Sequence, residues 1–200
     1  MAQNHVQQIL ALAQKSNLLQ AKDLRARGIP HTYLGRMVDQ GLLQRVGRGL
    51  YRLSHSPITE HYSLTEACTR VPNGIVCLLS ALNFYGLTTQ LPFEVWLAIE
   101  NKAWAPKERQ LPIRLVRFSG PAFTEGIKEH TIEGVPVKVY DPAKTIADCF
   151  KFRNKIGLDV ALEALRDGLH QRQFTVDKLW HYAGICRVQN IMRPYLEAIL

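Results

Sequence analysis

The strongest constraint on this 200-residue chain is the stretch 17–53, NLLQAKDLRARGIPHTYLGRMVDQGLLQRVGRGLYRL. Residues 20–27 place Ala21 and Leu24 on one side of a short helix and Lys22, Arg25 and Arg27 on the other. Gly28 can adopt the positive φ that ends such a helix, and Pro30 suits the first turn of the next one. That second helix runs to about Gln40, where Gly41 stops it, and its buried stripe reads Leu34, Met37, Val38 and, past the end, Leu42. Residues 42–46 and 50–53 then alternate on either side of Gly47-Arg48-Gly49, the pattern of a β-hairpin. Preceded by an amphipathic helix at 4–14 (Val6, Ile9, Leu10, Ala13), this order is that of a winged helix-turn-helix.

Charge is concentrated in the same region. Residues 1–55 carry eight Lys/Arg against Asp23 and Asp39, a balance of +6, which leaves only +2 of the net +8 for the rest. A small basic unit joined to a larger near-neutral one suits a module that meets a polyanion. The hydrophobic fraction of 46% describes a chain able to bury a core rather than a disordered one. Cys68, Cys77, Cys149 and Cys186 form no CxxC or CxxH pair, so buried reduced thiols are expected and zinc is not. The start, MAQNHVQQILALAQ, lacks the features of a signal peptide, and no apolar run approaches the ~20 residues that span a bilayer. The expected location is the cytoplasm, with no membrane partner.

Beyond a boundary near residue 56 the pattern changes. A helix is expected over 59–70, and the apolar run IVCLLSALNFYG at 75–86 reads as a buried helix ended by Gly86. Strands follow at 94–99, 113–118, 126–132 and 135–140, the last two joined at Glu133-Gly134. Asp141-Pro142 opens a helix running to about residue 154, Leu158 to Leu169 stripe another, and Thr175 caps a third with Phe174 and Leu179 placed as a hydrophobic staple. A last helix lies near 188–199. The fold class is α+β: a winged helix over 1–56, then a domain over 57–200 with helices around a small, mostly antiparallel sheet and a C-terminal helical segment.

In a helix-turn-helix, the second helix of the pair enters the major groove and its early residues reach the base edges. Here those residues are His31, Thr32, Tyr33 and Arg36. Arg36 has the fork geometry for guanine, Thr32 and His31 suit bases or phosphate, and Tyr33 suits a phosphate or a thymine methyl. Gly35 removes a side chain from that face and lets the helix sit close to DNA, although glycine weakens a helix by ~1 kcal/mol and something should compensate. Arg45, Arg48 and Arg52 are expected at one end of the hairpin, against phosphate or the minor groove, with Lys22 and Arg25 over the backbone. The alternative is a winged helix used for protein pairing, in which these arginines are solvated surface.

The segment QGLLQRVGRGLYRL resembles the winged helix of the AbiEi-type antitoxins, transcriptional regulators of bacterial type IV toxin–antitoxin and abortive-infection systems. IVCLLSALNFYGLTTQ and VKVYDPAKTIADCFKFRNKIGLDVALEAL resemble that family's second domain, with Ala143 standing where an acidic residue would be expected. The resemblance implies an N-terminal domain that binds inverted repeats in double-stranded DNA at its own promoter. It further implies a C-terminal domain that counteracts a partner nucleotidyltransferase toxin without an obligatory tight complex. The chain lacks the toxin's own Gly-Ser and Asp-x-Asp signature, and it lacks a GxxxxGK[ST] loop, so no nucleotide cofactor is expected.

Two further patterns concern chemistry. Glu94, Glu100 and Lys102 resemble the acid-x-Lys end of a metal-dependent nuclease, but the two acids are roughly 20 Å apart on one extended segment and cannot share an ion by themselves. No catalytic residues and no metal ligands are therefore assigned. In the second domain, Lys144 and Asp148 form an i, i+4 pair, and Lys151, Arg153 and Lys155 extend a basic edge beyond Ile146, Ala147 and Phe150. This edge is the candidate antitoxin surface, against the plainer reading of a solvated helix face. A regulator answering to a small ligand through its second domain is the rival to the antitoxin reading.

Overall fold

A computed structural model describes residues 2–16, 18–47, 49–55, 60–105 and 111–199, with side chains from residue 5 onward. They group into two compact units, Met1–Thr69 with Thr131–Pro136, and Arg70–His130 with Val137–Leu200. The first unit thus extends past the boundary expected near residue 56.

In the first unit, α1 (Ala2–Lys15) buries Ile9 and Ala13, with Val6 and Leu10 packed alongside. A short strand, β1 (Leu19–Gln20), follows, and it is too brief to announce itself by alternation. Helices α2 (Ala21–Ala26) and α3 (Thr32–Asp39) end at Gly28 and Gly41, both at φ 70°, the left-handed turn that glycine takes without a Cβ clash. Strands β2 (Leu43–Gly47) and β3 (Leu50–Leu53) form the wing, and β1 adds to β3 in the order β1-β3-β2. Helix α4 (Tyr62–Arg70) closes the unit. Ile9, Leu19, Leu24, Ile29, Leu34, Met37 and Leu43 form one core, so each element contributes its apolar face to a single cluster. Leu42, expected in that stripe, is instead 38% exposed. Its N–H closes the helix onto the Met37 carbonyl, and the turn at Gly41 brings Leu43 into the core in its place.

In the second unit, β4 (Ile75–Val76) precedes α5 (Leu78–Phe84), which corrects the single helix expected over 75–86. Ile75 and Val76 are β-branched and lie at the centre of a five-stranded sheet, so sheet pairing wins over helical continuity there. The other strands are β5 (Val95–Glu100), β6 (Ile113–Phe118), β7 (Ile127–Ile132) and β8 (Val135–Tyr140), in the order β6-β5-β4-β8-β7, with the short helix α6 (Pro121–Thr124) before β7. Pairings β5–β6 and β4–β8 are parallel and β4–β5 is antiparallel, so the sheet is mixed rather than mostly antiparallel. The β7–β8 turn, which groups with the first unit, has positive φ at both Glu133 and Gly134, the turn whose twist matches a hairpin.

Five helices follow: α7 (Pro142–Lys151), α8 (Arg153–Ile156), α9 (Leu158–His170), α10 (Val176–Cys186) and α11 (Gln189–Ile199). Asp141 caps α7 by accepting from the Ala143 N–H at 3.0 Å, and Thr175 caps α10 by accepting from the Lys178 N–H. Phe174 and Leu179 both join the core, as a staple requires. The four cysteines are free and buried, and burial pushes the Cys68 thiol up to about 12.

Candidate nucleic-acid interface

Helix α3 divides cleanly into two faces. Leu34 and Met37 are buried, and Thr32, Gly35, Arg36 and Asp39 are exposed at i, i+3, i+4 and i+7, a single outward stripe. His31 is exposed just before the helix and makes no side-chain cap. Tyr33 is half-buried, edge-on to the His5 ring at 5.3 Å, and the Arg36 guanidinium lies over it at 5.9 Å. Tyr33 therefore buttresses α3 against α1 and steadies Arg36, a contact worth about 0.5–1 kcal/mol at an exposed site. Arg36 forms no ion pair with a carboxylate among the described residues.

On α2, Lys22 and Arg25 are exposed while Leu24 holds the helix to the core. The wing differs from expectation. Leu43 faces Leu53 and Arg45 faces Tyr51, whereas Gln44 faces Arg52. Directly opposed residues share a face, so Arg45 and Arg52 point to opposite sides of the hairpin rather than to one end. A bulge between Arg45 and Gly47 takes up Val46, and the Arg45 Nε donates to the Gly47 carbonyl at 3.3 Å while the residue stays exposed. Arg52 is half-buried, donates to Gln44 Oε1 at 3.0 and 2.8 Å and lies over the Tyr62 ring at 5.4 Å. Its charge is thus held within the unit. The roles of Gln44 and Tyr62 had no local signal in the sequence, because they depend on strand register and on where α4 lands. Arg48 lies outside the described residues.

The candidate surface on α7 is corrected in part. Lys144 and Asp148 are 0% and 1% exposed, and Lys144 Nζ sits 2.7 and 2.6 Å from the two Asp148 oxygens. Every residue from 142 to 150 is buried, so this pair belongs to the core and presents nothing to a partner. The ammonium also lies 4.3 Å from the Tyr140 ring and 5.0 Å from Phe118, and Cys186 Sγ donates to Asp148 at 3.1 Å. A Cβ at Gly126 would come within 2.9 Å of the Lys144 stem, so the missing side chain there makes room for it. Burial pushes the Asp148 carboxyl up, against the pull of Lys144. Lys151 and Lys155 remain exposed and Arg153 half-buried, with Lys151 donating to the Cys186 carbonyl and Arg153 to that of Phe150.

A second buried acid explains how this helix is anchored. Asp141 accepts from Lys178 at 2.8 Å and Lys128 at 2.9 Å, both ammonium groups being about half exposed. Burial alone raises its carboxyl, but the two lysines outweigh that and hold it below the usual carboxylate range. Just before β5, Glu94 is ion-paired with Arg114, so the first acid of the nuclease-like pattern is already engaged. No helix of the described residues is long and apolar enough to cross a membrane.

A search of the curated proteins gave no match. Residues 7–54 match the family model described as transcriptional regulator, AbiEi antitoxin, a span that begins within α1 and ends just past β3. That family is one of regulators rather than enzymes. Over residues 7–54, therefore, the chain is similar to the AbiEi antitoxin family of transcriptional regulators.

Proposed function

We propose that the chain is a cytoplasmic DNA-binding repressor that reads double-stranded DNA with α3 and autoregulates its own operon as the antitoxin of a nucleotidyltransferase toxin. The observation that carries the DNA reading is the outward stripe of α3, with Arg36 exposed and unpaired among the described residues over a firmly buried Leu34 and Met37. A helix held this way offers a guanidinium fork to a guanine edge while its own packing stays undisturbed. Lys22 and Arg25 on α2 and Arg45 on the wing supply phosphate contacts around it, with Arg48 a further candidate.

The family match and the resemblance of the second half of the chain support the antitoxin role and its phage-defence setting. Its candidate surface is reduced to Lys151, Arg153 and Lys155. The DNA reading is tested by titrating duplex DNA from upstream of the gene with the chain and with Arg36→Ala. Weakened binding by the variant supports it, and equal binding contradicts it. Co-expression with the neighbouring nucleotidyltransferase gene tests the antitoxin role, where charge reversal at Lys151 and Arg153 should abolish rescue while leaving operator binding intact. Rescue that persists makes the edge ordinary surface.

A further inference from the structure

Three glycines lie inside helices among the described residues: Gly35 in α3, Gly168 in α9 and Gly184 in α10. Gly168 is explained by packing, since a Cβ there would run into the Phe174 ring. Gly184 has Gln189 at contact distance, 3.4 Å from where its Cβ would be. Gly35 differs from both. It is exposed, its φ is not positive, and a Cβ built on it would meet nothing within 4 Å. Neither backbone conformation nor packing within the described residues calls for glycine at this position, although glycine is the weakest common helix former apart from proline.

The position gives the reason. Gly35 sits in the middle of the outward stripe, between Thr32 and Asp39 and beside Arg36, whose guanidinium leans over Tyr33. The result is a notch in the exposed face of α3. An α-helix with its side chains is about 10–12 Å across, close to the ~12 Å width of a B-form major groove, so small side chains on the facing side set how deeply it can enter. The deep, narrow major groove of A-form RNA does not admit such a helix.

We infer that Gly35 is the point where the backbone of α3 rests against the base edges of B-form duplex DNA, and that its missing side chain serves that contact at the expense of helix stability. The inference rests on the DNA reading above and adds to it a steric determinant that carries no charge. It separates two properties that a structural glycine would move together.

The test compares the full chain with Gly35→Ala and, in parallel, Arg36→Ala. The probe is a duplex enriched by the wild-type chain from a randomised 20-base-pair pool, with affinity read by anisotropy at several salt concentrations. Gly35→Ala is expected to raise the melting temperature by a few degrees. It should weaken duplex binding by roughly tenfold or more through steric crowding. The salt slope should stay unchanged, because no cation is lost. A higher melting temperature with unchanged affinity overturns the inference, and so does a lower melting temperature, which would make the glycine a requirement of the fold. If Arg36→Ala weakens binding and Gly35→Ala does not, only this inference fails. If neither variant changes binding, or no duplex is enriched, the DNA reading fails with it.

Discussion

Helices α3 and α7 carry charge in similar sequence patterns and put it to opposite ends. In α3, Arg36 and Asp39 stand on an exposed face, opposite the buried Leu34 and Met37. In α7, Lys144 and Asp148 have the i, i+4 spacing of an exposed pair, yet both lie inside the second core, ringed by Tyr140, Phe118 and Cys186. A helix packed on one side sorts its residues by periodicity. A helix covered on all sides must bury its charges too, and it then satisfies them with each other. The lesson is that a basic residue on a predicted helix points to a partner only when the helix has an outside.

The comparison breaks first at Lys144. Replacing Lys144 or Asp148 singly by Ala strands a buried charge and should destabilise the chain by about 3–5 kcal/mol. The double variant Lys144→Met/Asp148→Leu should regain most of that loss in a denaturant titration. A Lys144→Ala chain that unfolds like the wild type would place the lysine on a solvated face after all.

For α3 the same truncation should leave the fold alone. Arg36→Ala should change stability little and cost about 1–3 kcal/mol in binding to a preferred duplex, with base preference relaxed at one position. Affinity and sequence selection measured on the same preparation check both halves of the statement.

The anchoring acid sets a pH dependence. Asp141 is held below its ordinary value, so its contribution to stability is present above the unfolded carboxyl value near 4 and is lost as pH falls through the lower folded value. Asp141→Asn should therefore destabilise the chain at neutral pH, with the gap to the wild type narrowing below about pH 4. Thermal melts of the two proteins between pH 2 and 7 would follow it, and a gap constant across that range would refute the assignment.

The smallest effect is expected on the wing. Arg52 is engaged by Gln44 and Tyr62, so Arg52→Ala should leave the salt slope of DNA binding nearly unchanged. Arg45→Ala should lower that slope by about one unit.

The N-terminal unit was largely legible in the sequence because its elements announce themselves locally. Gly28 and Gly41 end helices, Leu34 and Met37 mark a stripe, and glycines bracket the wing. What escaped depends on distant partners. β1 is defined only by pairing with β3, and Arg52 is claimed by a tyrosine ten residues beyond it. The second unit was harder. Ile75 and Val76 look like the start of a helix until β5 and β8 flank them, and the parallel pairings are set by crossovers that no local pattern encodes. Lys144 and Asp148 were misplaced for the same reason: periodicity identifies one face of a helix but says nothing of what covers the other.

The proposal is that the first unit meets duplex DNA through exposed cations on α2, α3 and the wing. Its most direct test is the affinity of the full chain for duplex DNA across a range of salt concentrations. Three exposed cations assigned to phosphate, Lys22, Arg25 and Arg45, predict a slope of log affinity against log salt of roughly −3 or steeper. A slope near zero would contradict the account, because cations that displace no counterions do not touch phosphate.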